Sequence, residues 1–355
     1  KFVLRALIDA ASKIGELGFQ EDREIEQILD EAQASIFAIS NATALRAFSA
    51  IKDELAGAWD RLEKLQKHTG ALRGVATGFP ALDSMLSGLQ KSDLIILAAR
   101  PSMGKTTLAL DIARQSAVQH KTPVGFFSLE MSSQQLVDRM LAAQAGVNSW
   151  RLRTGKISKD EEYDRLQAGL AELSEAPIYI DDKSSSSVLA MRSIARRMKM
   201  EKGLGLIVID YLQLITPTTS GSNISLVQQV SEISRALKGM ARELDVPVLA
   251  LSQLSRAVEQ RGGRPRLSDL RDSGSIEQDA DVVMFIHRED MMGNRSSNEK
   301  NNLAEILIEK HRNGPVGKVD LLFDDEKTTF KTVEKADFGD FTAEAIVEGA
   351  DSAPF

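Results

Sequence analysis

The chain contains 355 residues, of which 43% are hydrophobic and 27% are charged, as is ordinary for a globular protein. This length suggests about two domains. Cysteine is absent, which excludes a disulfide framework, a thiol nucleophile and a cysteine-ligated metal site. The longest apolar run, Leu94–Ala99, is far shorter than the roughly 20 residues of a membrane-spanning helix. We therefore predict no membrane partner and expect a cytoplasmic location.

The formal net charge of −7 arises at one end of the chain. Residues 320–355 contain ten acidic and three basic residues, a difference that equals the whole net charge, so residues 1–319 are balanced. An acidic balance argues against a nucleic-acid partner, because the phosphate backbone attracts positive charge. That argument does not apply to residues 1–319, because their charges are balanced. The acidic residues 336–355 predict a disordered tail, whose simplest role is to keep the chain soluble.

The first 73 residues predict helices. The chain starts without Met, inside an amphipathic pattern, and residues 1–41 are too few for a core of their own. We expect them to be the C-terminal remnant of a helical N-terminal domain. Residues 42–73 predict a linker helix, roughly Leu45–Lys67, and a flexible glycine-containing joint. The narrow apolar stripe of the linker helix fits packing on its own chain or docking on a partner equally well. It consists of Phe48, Ile51, Leu55, Trp59, Leu62 and Leu65.

Residues 74–335 alternate apolar runs with helical patterns, which predicts an α/β domain whose mostly parallel sheet is covered by helices. The predicted strands are Leu94–Ala99, Val124–Leu129, Ile178–Ile180, Leu206–Ile209, Val246–Leu251 and Val282–Ile286. Two later runs, Leu303–Lys310 and Val316–Phe323, flank an Asn-Gly-Pro turn and predict a hairpin. The basic segment Arg192–Lys202 predicts a solvated helix face. Trp150 and Tyr211 show no stacking pattern with basic neighbours.

The strongest chemical signal is the segment Ala99–Thr107, which contains Gly-Lys-Thr-Thr between a predicted strand and a predicted helix. This is the context of a phosphate-binding loop, although its usual first glycine is Ala99 here. Loop amides and the positive helix end would cradle the phosphates of a nucleotide. Lys105 would reach the β- and γ-phosphates, and Thr106 would hold Mg²⁺. The residues expected to bind the nucleotide are Ser102, Met103, Gly104, Lys105, Thr106, Thr107 and Asp210.

Three polar residues at strand ends complete this predicted site. Asp210 ends a buried run, where a carboxylate needs a cation or a hydrogen-bond donor, so we predict that it shares the Mg²⁺ with Thr106. Glu130 follows another strand and could orient an attacking water, or could simply begin the next helix. Gln253 ends a third strand, where it could sense the γ-phosphate or be an ordinary polar strand end.

Two cationic groups suggest further partners. Five arginines lie between Arg256 and Arg271 in an irregular stretch, which fits either contacts to a nucleic-acid backbone or a solvated loop. The hairpin turn Lys310–Pro315 could present a cation to a nucleotide held by another subunit, as an arginine finger does. The alternative is a charged hairpin end. The four histidines have no metal-ligand spacing, so no dedicated metal site is predicted.

These motifs, in this order, closely resemble those of bacterial replicative DNA helicases of the DnaB type. The resemblance extends from the helical remnant to about residue 335. Its most specific stretches are Ala98–Thr106, Ser128–Met131, Asp210–Leu214, Leu251–Arg256, Ser268–Asp281 and Lys310–Gly314. It implies a RecA-like ATPase fold and a homo-hexameric ring around single-stranded DNA. It also accounts for Ala99, because the phosphate loop of this family often lacks the first glycine.

The resemblance implies roles for individual residues as well. Glu130 would be the catalytic carboxylate, Asp210 the ligand of the Mg²⁺ water, and Gln253 the γ-phosphate sensor. Arg312 would be the finger inserted into the next subunit's site, with Lys310 beside it. The residues that match the loop holding the DNA backbone are Arg271, Asp272 and Gly274, with Asp272 in place of the usual glutamate.

The implied activity is that of a replicative DNA helicase that uses ATP and Mg²⁺, moves 5′ to 3′ and unwinds forked DNA. A primase and a helicase loader are the expected partners, and the linker helix matches one that docks on the adjacent RecA domain. Another RecA-class ATPase, of the strand-exchange or clock type, is the first rival, against which the Ser268–Gly274 run argues. The second is a nucleotide-gated, primase-recruiting scaffold, which would not need Glu130.

Overall fold

The chain divides into two units, Lys1–Ala71 and Leu72–Phe355. The computed structural model describes residues 2–20, 25, 28, 31–36, 51, 55, 59, 72–157, 160–183, 187–217, 225–254, 261, 263–270, 274–291 and 302–333. The domain boundaries predicted after residues 41 and 335, and the predicted tail, lie outside these residues. No helix in the described ranges is long and apolar enough to cross a membrane.

The described part of the first unit is helical. Helix α1 spans Phe2–Gly18, and residues 31–36 form another helical segment. Ile51, Leu55 and Trp59 are helical too, and their exposed fractions lie between 60% and 77%. These three apolar side chains share one helix face because they are four residues apart. The rest of the predicted linker helix lies outside the described residues.

The second unit contains a nine-stranded sheet with helices on both faces. Its helices are α2 Pro80–Leu86, α3 Lys105–His120, α4 Ser133–Ala145, α5 Ser149–Thr154, α6 Asp160–Ser174, α7 Val188–Lys202, α8 Leu226–Leu244 and α9 Gly274–Asp279. Short 3₁₀ turns lie at Leu212–Leu214, Leu267–Asp269 and Glu289–Met291. Its strands are β1 Leu94–Ala99, β2 Val124–Ser128, β3 Ile178–Asp181, β4 Leu206–Asp210, β5 Val248–Gln253, β6 Val282–His287, β7 Leu303–His311, β8 Gly317–Asp324 and β9 Thr329–Thr332.

The strand order is β3-β2-β4-β5-β1-β6-β7-β8-β9. Strands β1 to β6 are parallel, and β7, β8 and β9 extend the sheet in antiparallel fashion. The central strand β1 is buried along its whole length, and alternate residues enter different cores: Ile95 and Leu97 one, Leu94 and Ile96 the other. A strand covered on both faces is apolar at every position, as predicted for this run from its sequence. The predicted α/β fold and the terminal hairpin are confirmed.

The structure differs from the predicted elements at a few places. Strand β5 begins at Val248 rather than at Val246, because Pro247 has no N–H group for the sheet ladder. Strand β9 was not predicted, since its sequence Thr-Phe-Lys-Thr is short and half polar. It is held by the neighbouring strand β8 and by a helix that is distant in sequence.

The expectation of a solvated basic face on α7 is wrong for three of its cations. Arg192 and Arg196 both form ion pairs with Glu243 of α8. The Lys199 side chain donates to the backbone carbonyl of Leu244 at the end of α8. These cations therefore join two helices, which an amphipathic pattern alone does not reveal.

Candidate nucleotide-binding site

The loop between β1 and α3 adopts a tight left-handed conformation. Ser102 has φ 66° and Gly104 has φ 95°. The positive φ at residue 104 favours glycine there. A Cβ atom on Gly104 would lie 2.9 Å from Cζ of Phe330, so the absence of a side chain also permits close packing on β9. Met103 buries its side chain in the core below the loop. Of the predicted loop residues, Met103 can therefore offer a ligand only its backbone.

Helix α3 begins immediately after this loop, at Lys105. The amide of Leu108 donates to the carbonyl of Gly104 over 2.9 Å and closes the first helical turn. The preceding amides, those of Lys105, Thr106 and Thr107, have no acceptor inside the helix because of helix geometry. Three such N–H groups at the positive end of the helix form a binding site for an anion such as phosphate.

Asp210, at the end of β4, faces the first turn of α3. The hydroxyl of Thr106 donates to its Oδ2 over 2.7 Å, and the Lys105 ammonium lies 3.5 Å from its Oδ1. Asp210 is fully buried, and Oδ1 accepts no hydrogen bond from the residues that the structure describes. Burial lowers the pKa of Lys105, although the charges of Asp210 and Glu130 oppose that shift. The buried carboxylate therefore has an oxygen available for a cation beside the threonine hydroxyl.

Tyr211 follows Asp210 through a cis peptide bond. Its ring centre lies 4.2 Å from Nζ of Lys105, a cation–π contact. Burial raises the pKa of Tyr211, with the charges of Glu130 and Asp210 adding to the effect. Trp150 likewise packs on a cation, with Lys156 Nζ 5.1 Å from its ring centre. Both contacts depend on the folded backbone, and the sequence around the two rings did not indicate them.

Glu130 lies in a turn directly after β2, which is paired with β4 so that Ser128 is opposite Asp210. The hydroxyl of Ser128 donates to the Met131 carbonyl over 2.6 Å, and the Met131 amide donates to that hydroxyl over 3.2 Å. These two bonds fix the turn that presents Glu130. The carboxylate faces a cavity of about 440 Å³ that the phosphate loop also lines.

Gln253 ends β5 and lines the same cavity, opposite Ala99 in the register of β1 and β5. Gln213, in the 3₁₀ turn after β4, accepts from the Gln253 amide over 3.3 Å. The Gln213 side-chain amide donates to Oγ of Ser252 over 2.9 Å. Gln213 therefore ties the ends of β4 and β5 together, a function that its sequence context did not indicate.

Further residues line the cavity that the sequence did not indicate. Arg139 of α4 reaches it, and burial lowers the pKa of this guanidinium against the opposing charges of Asp210 and Glu130. Phe323 and Thr328, from β8 and the turn that follows, line another wall. In the sequence, Arg139 is one charged residue of an amphipathic helix, and only the packing of α4 reveals its position.

Lys310 and Arg312 lie near the amino-terminal ends of the parallel strands, opposite the carboxyl-terminal ends where the phosphate loop lies. They flank His311, which pairs with Val282 at the start of β6, whereas the loop follows the end of the parallel strand β1. The described lining of the nucleotide cavity includes neither of them.

The predicted DNA-binding residues Arg271 and Asp272 lie outside the described residues, and Gly274 is the first residue of α9. Of the nearby arginines, Arg261 pairs with Asp269, and Arg264 binds both carboxylate oxygens of Glu305 at 2.6 and 2.7 Å. Within the described residues, no group of three or more His, Asp or Glu side chains is arranged to hold a metal ion.

A central strand, a phosphate loop, a helix and a carboxylate at the end of a nearby parallel strand define a P-loop ATPase of RecA-like fold. Comparison with known proteins gives the family. The model of the DnaB-like helicase C-terminal domain matches residues 74–332, and the chain belongs to this family.

Similar proteins cover nearly the whole chain. The replicative DNA helicase DnaB of Geobacillus stearothermophilus is 51% identical over 94% of this chain and 73% of its own length. The replicative DNA helicase DnaC of Bacillus subtilis is 47% identical over the same shares.

Two solved structures are similar to the fold. One is an ATPase domain that is 39% identical with a TM-score of 0.75, covering 81% of this chain and all of that chain. The other, a DnaB-like replicative helicase described with its interactions with primase, is 37% identical with a TM-score of 0.80, covering 94% of this chain and 76% of that chain. The protein is thus an ATP-dependent replicative DNA helicase, and neither the other RecA-class ATPases nor the scaffold is favoured.

Proposed function

We propose that this helicase hydrolyses Mg²⁺-bound ATP between the subunits of a homo-hexameric ring and thereby moves 5′ to 3′ along single-stranded DNA. One observation carries the proposal: the cavity beside Lys105, Asp210 and Glu130 lies at the carboxyl end of β1, whereas Arg312 lies beside the start of the parallel strand β6, a strand length away. A chain with this geometry does not supply Arg312 to its own nucleotide. A neighbouring copy in a ring can supply it.

The residues at the cavity fit MgATP. Oxygen atoms of Thr106 and Asp210 are the hard ligands that Mg²⁺ takes in phosphate sites, and the buried Oδ1 of Asp210 lacks a hydrogen bond among the described residues. Bound there, Mg²⁺ would neutralise charge on the β- and γ-phosphates. Lys105 would donate to the same phosphates, and Gln253 would contact the γ-phosphate. Glu130 would orient the attacking water and accept its proton.

Movement would follow from contacts between subunits. In the proposed ring, Arg312 and Lys310 of one copy contact the γ-phosphate bound by the next copy. Hydrolysis removes this phosphate and with it the contact between the two subunits. Loops containing Arg271, Asp272 and Gly274 would hold the DNA backbone and shift with their subunits, while the second strand of a fork is excluded.

The domain assignments are part of this proposal: residues 1–41 as part of a helical N-terminal domain, 42–73 as the linker, 74–335 as the motor and 336–355 as the tail. A primase is a proposed partner because the structurally similar helicase was described together with one. A helicase loader and a cytoplasmic site of action at the replication fork belong to the same proposal.

Replacement of Glu130 tests the hydrolytic assignment. The Glu130→Gln protein retains the phosphate loop, so it should bind ATP normally while DNA-stimulated hydrolysis falls by about 10²- to 10⁴-fold. Unwinding of a fork with a 5′ single-stranded arm should be lost with it. ATP binding, steady-state hydrolysis and strand separation are the three measurements.

Glu175→Gln is a matched control, because the Glu175 side chain is 79% exposed and only distantly paired with Lys121. It should behave as wild type. Hydrolysis by Glu130→Gln at the wild-type rate would reject Glu130 as the catalytic carboxylate. Unwinding that requires a 3′ arm instead would reject the proposed direction of movement.

A further inference from the structure

Arg312 is bound at both its backbone and its side chain by Asp281, the residue before β6. The Arg312 amide donates to the Asp281 carbonyl over 2.9 Å, and Nη1 of Arg312 lies 3.1 Å from Oδ1 of Asp281. The Asp281 side chain is 5% exposed, whereas that of Arg312 is 47% exposed. A buried carboxylate thus anchors a guanidinium that reaches the surface.

The two carboxylate oxygens of Asp281 have separate partners. Oδ2 accepts from the Leu94 amide over 2.8 Å and from the Lys238 ammonium over 2.5 Å, which joins β1, β6 and α8. Oδ1 accepts from Arg312. The bonds of Oδ2 hold the fold together, and the bond of Oδ1 orients a side chain at the surface.

The end of α9 supplies further acceptors for the same cations. Nη2 of Arg312 donates to the Gln278 carbonyl over 2.6 Å, and Nζ of Lys310 donates to the Glu277 carbonyl. Carbonyl groups at the carboxyl end of a helix carry partial negative charge, which favours cations there. Arg312 and Lys310 are therefore held side by side on one short helix.

A guanidinium has five N–H donors in a fixed planar fork. Among the described residues, Asp281 and Gln278 engage one donor each on two different nitrogens, which leaves three N–H groups for an additional acceptor. Because Asp281 and Gln278 hold part of the guanidinium, its remaining N–H groups point in a fixed direction. The Arg312 side chain then loses less rotamer entropy when it binds a phosphate.

We propose that Asp281 is a positioning residue for Arg312, which it holds in the orientation needed to reach the nucleotide of the neighbouring subunit. This inference rests on the proposed action of Arg312 between subunits. Asp281 itself would touch neither ATP nor DNA.

The Asp281→Asn variant separates the two tasks of the side chain. The amide oxygen of asparagine can still accept from Leu94 and Lys238, while its NH₂ group now faces Arg312, donor against donor. We expect kcat for DNA-stimulated ATP hydrolysis to fall about 10²-fold with KM for ATP unchanged, because the phosphate loop is intact and only a remote group is misplaced. Asp279→Asn, which alters a carboxylate at the end of α9 that accepts from Ser234 of α8, is the matched control and should retain the wild-type rate.

Mixed rings show whether the effect acts on the neighbour. An Asp281→Asn subunit has a functional phosphate loop but a displaced Arg312, whereas a Lys105→Ala subunit has the reverse defect. Mixing the two variants should give more ATP hydrolysis than the sum of the separate proteins. A parallel mixture of Arg312→Ala with Lys105→Ala is the reference. It measures how much ATP hydrolysis recovers when the Arg312 side chain itself is removed.

The outcomes are distinct. Recovery in both mixtures supports the positioning role. Recovery with Arg312→Ala alone overturns it and leaves the intersubunit site intact, and recovery in neither overturns the intersubunit site and this inference together. If Asp281→Asn does not fold, Asp281→Glu, which retains the charge but moves it, takes its place in the same mixtures. A wild-type rate from either variant alone also rejects the inference.

Discussion

Asp93, the residue before β1, is a carboxyl group buried beside Asp281. Burial, with the negative charge of Asp281, raises the pKa of Asp93 from 3.8 to about 6, against the opposing charges of Lys238, His311 and Arg312. The folded state therefore binds this proton more tightly than the unfolded chain does. The resulting stability is fully present below about pH 4 and is lost as pH rises through about 6.

The Asp93→Asn variant, which cannot titrate there, should gain stability relative to wild type as pH rises. A shift of about two pKa units corresponds to roughly 3 kcal/mol, most of it gained between pH 4.5 and 7. Urea unfolding of both proteins across this range measures the difference. Asp182→Asn is the control: a hydrogen bond from Ser133 lowers the pKa of Asp182, so its difference from wild type should stay flat above pH 4.5. A flat difference for Asp93→Asn as well would contradict the prediction.

Residues of the nucleotide site differ in how far the sequence revealed them. Asp210 and Glu130 directly follow apolar runs. Their common location at the carboxyl ends of parallel strands could therefore be predicted. Arg139 and Gln213 lie in a helix and a 3₁₀ turn, and their positions near the site depend on packing between elements far apart in the chain. The roles of Asp210 as a ligand of the Mg²⁺ water and of Glu130 as the catalytic carboxylate stay predictions.

At the scale of elements, Asp111 joins α3 to β9. Its buried carboxylate accepts from the Thr329 hydroxyl over 2.8 Å and from the Phe330 amide over 2.7 Å, and it pairs with Arg114 at 3.0 Å. Burial raises the pKa of Asp111, although Arg114 and the bonds from Phe330 and Thr329 oppose the shift. The strand that backs the phosphate loop is thus fastened to the helix that begins at that loop.

Replacing Asp111 by alanine would leave a buried amide, a hydroxyl and a guanidinium without their acceptor. We expect the free energy of unfolding to fall by about 3 kcal/mol, as measured by urea denaturation. Asp164→Ala, at an exposed position of α6, should change it by less than about 0.5 kcal/mol. Equal effects of the two substitutions would show that Asp111 does not fasten β9.

The contact of Asp111 with Thr329 and Phe330 also explains why β9 was not predicted from the sequence. The apolar strands β1, β2 and β4 are specified by their own residues, since each is buried on both faces. In β9 only Thr329 and Phe330 are buried, and a carboxylate more than 200 residues earlier, at Asp111, supplies two of its hydrogen bonds. A local pattern cannot contain that information.

At the scale of the whole molecule, the net charge of −7 describes residues 320–355 and not the proposed DNA-binding surface. Six copies of one arginine-containing loop can bind a strand inside a ring without an excess of basic residues overall. Part of the arginine charge near that loop is already neutralised, because Arg261 and Arg264 pair with Asp269 and Glu305. Assembly, rather than overall charge, would then generate the binding channel.

Assembly itself is testable through the exposed helix face formed by Ile51, Leu55 and Trp59. With ATP, Mg²⁺ and single-stranded DNA, native mass measurement should give six times the mass of one chain. Replacing Leu55 and Trp59 together by aspartate should shift the population to smaller species, because a charge cannot be buried against a neighbouring subunit without a partner. Met200→Asp alters an equally exposed apolar residue of α7, 76% exposed, and should leave the hexamer intact. A wild-type chain that stays monomeric under these conditions would rule out hydrolysis between subunits.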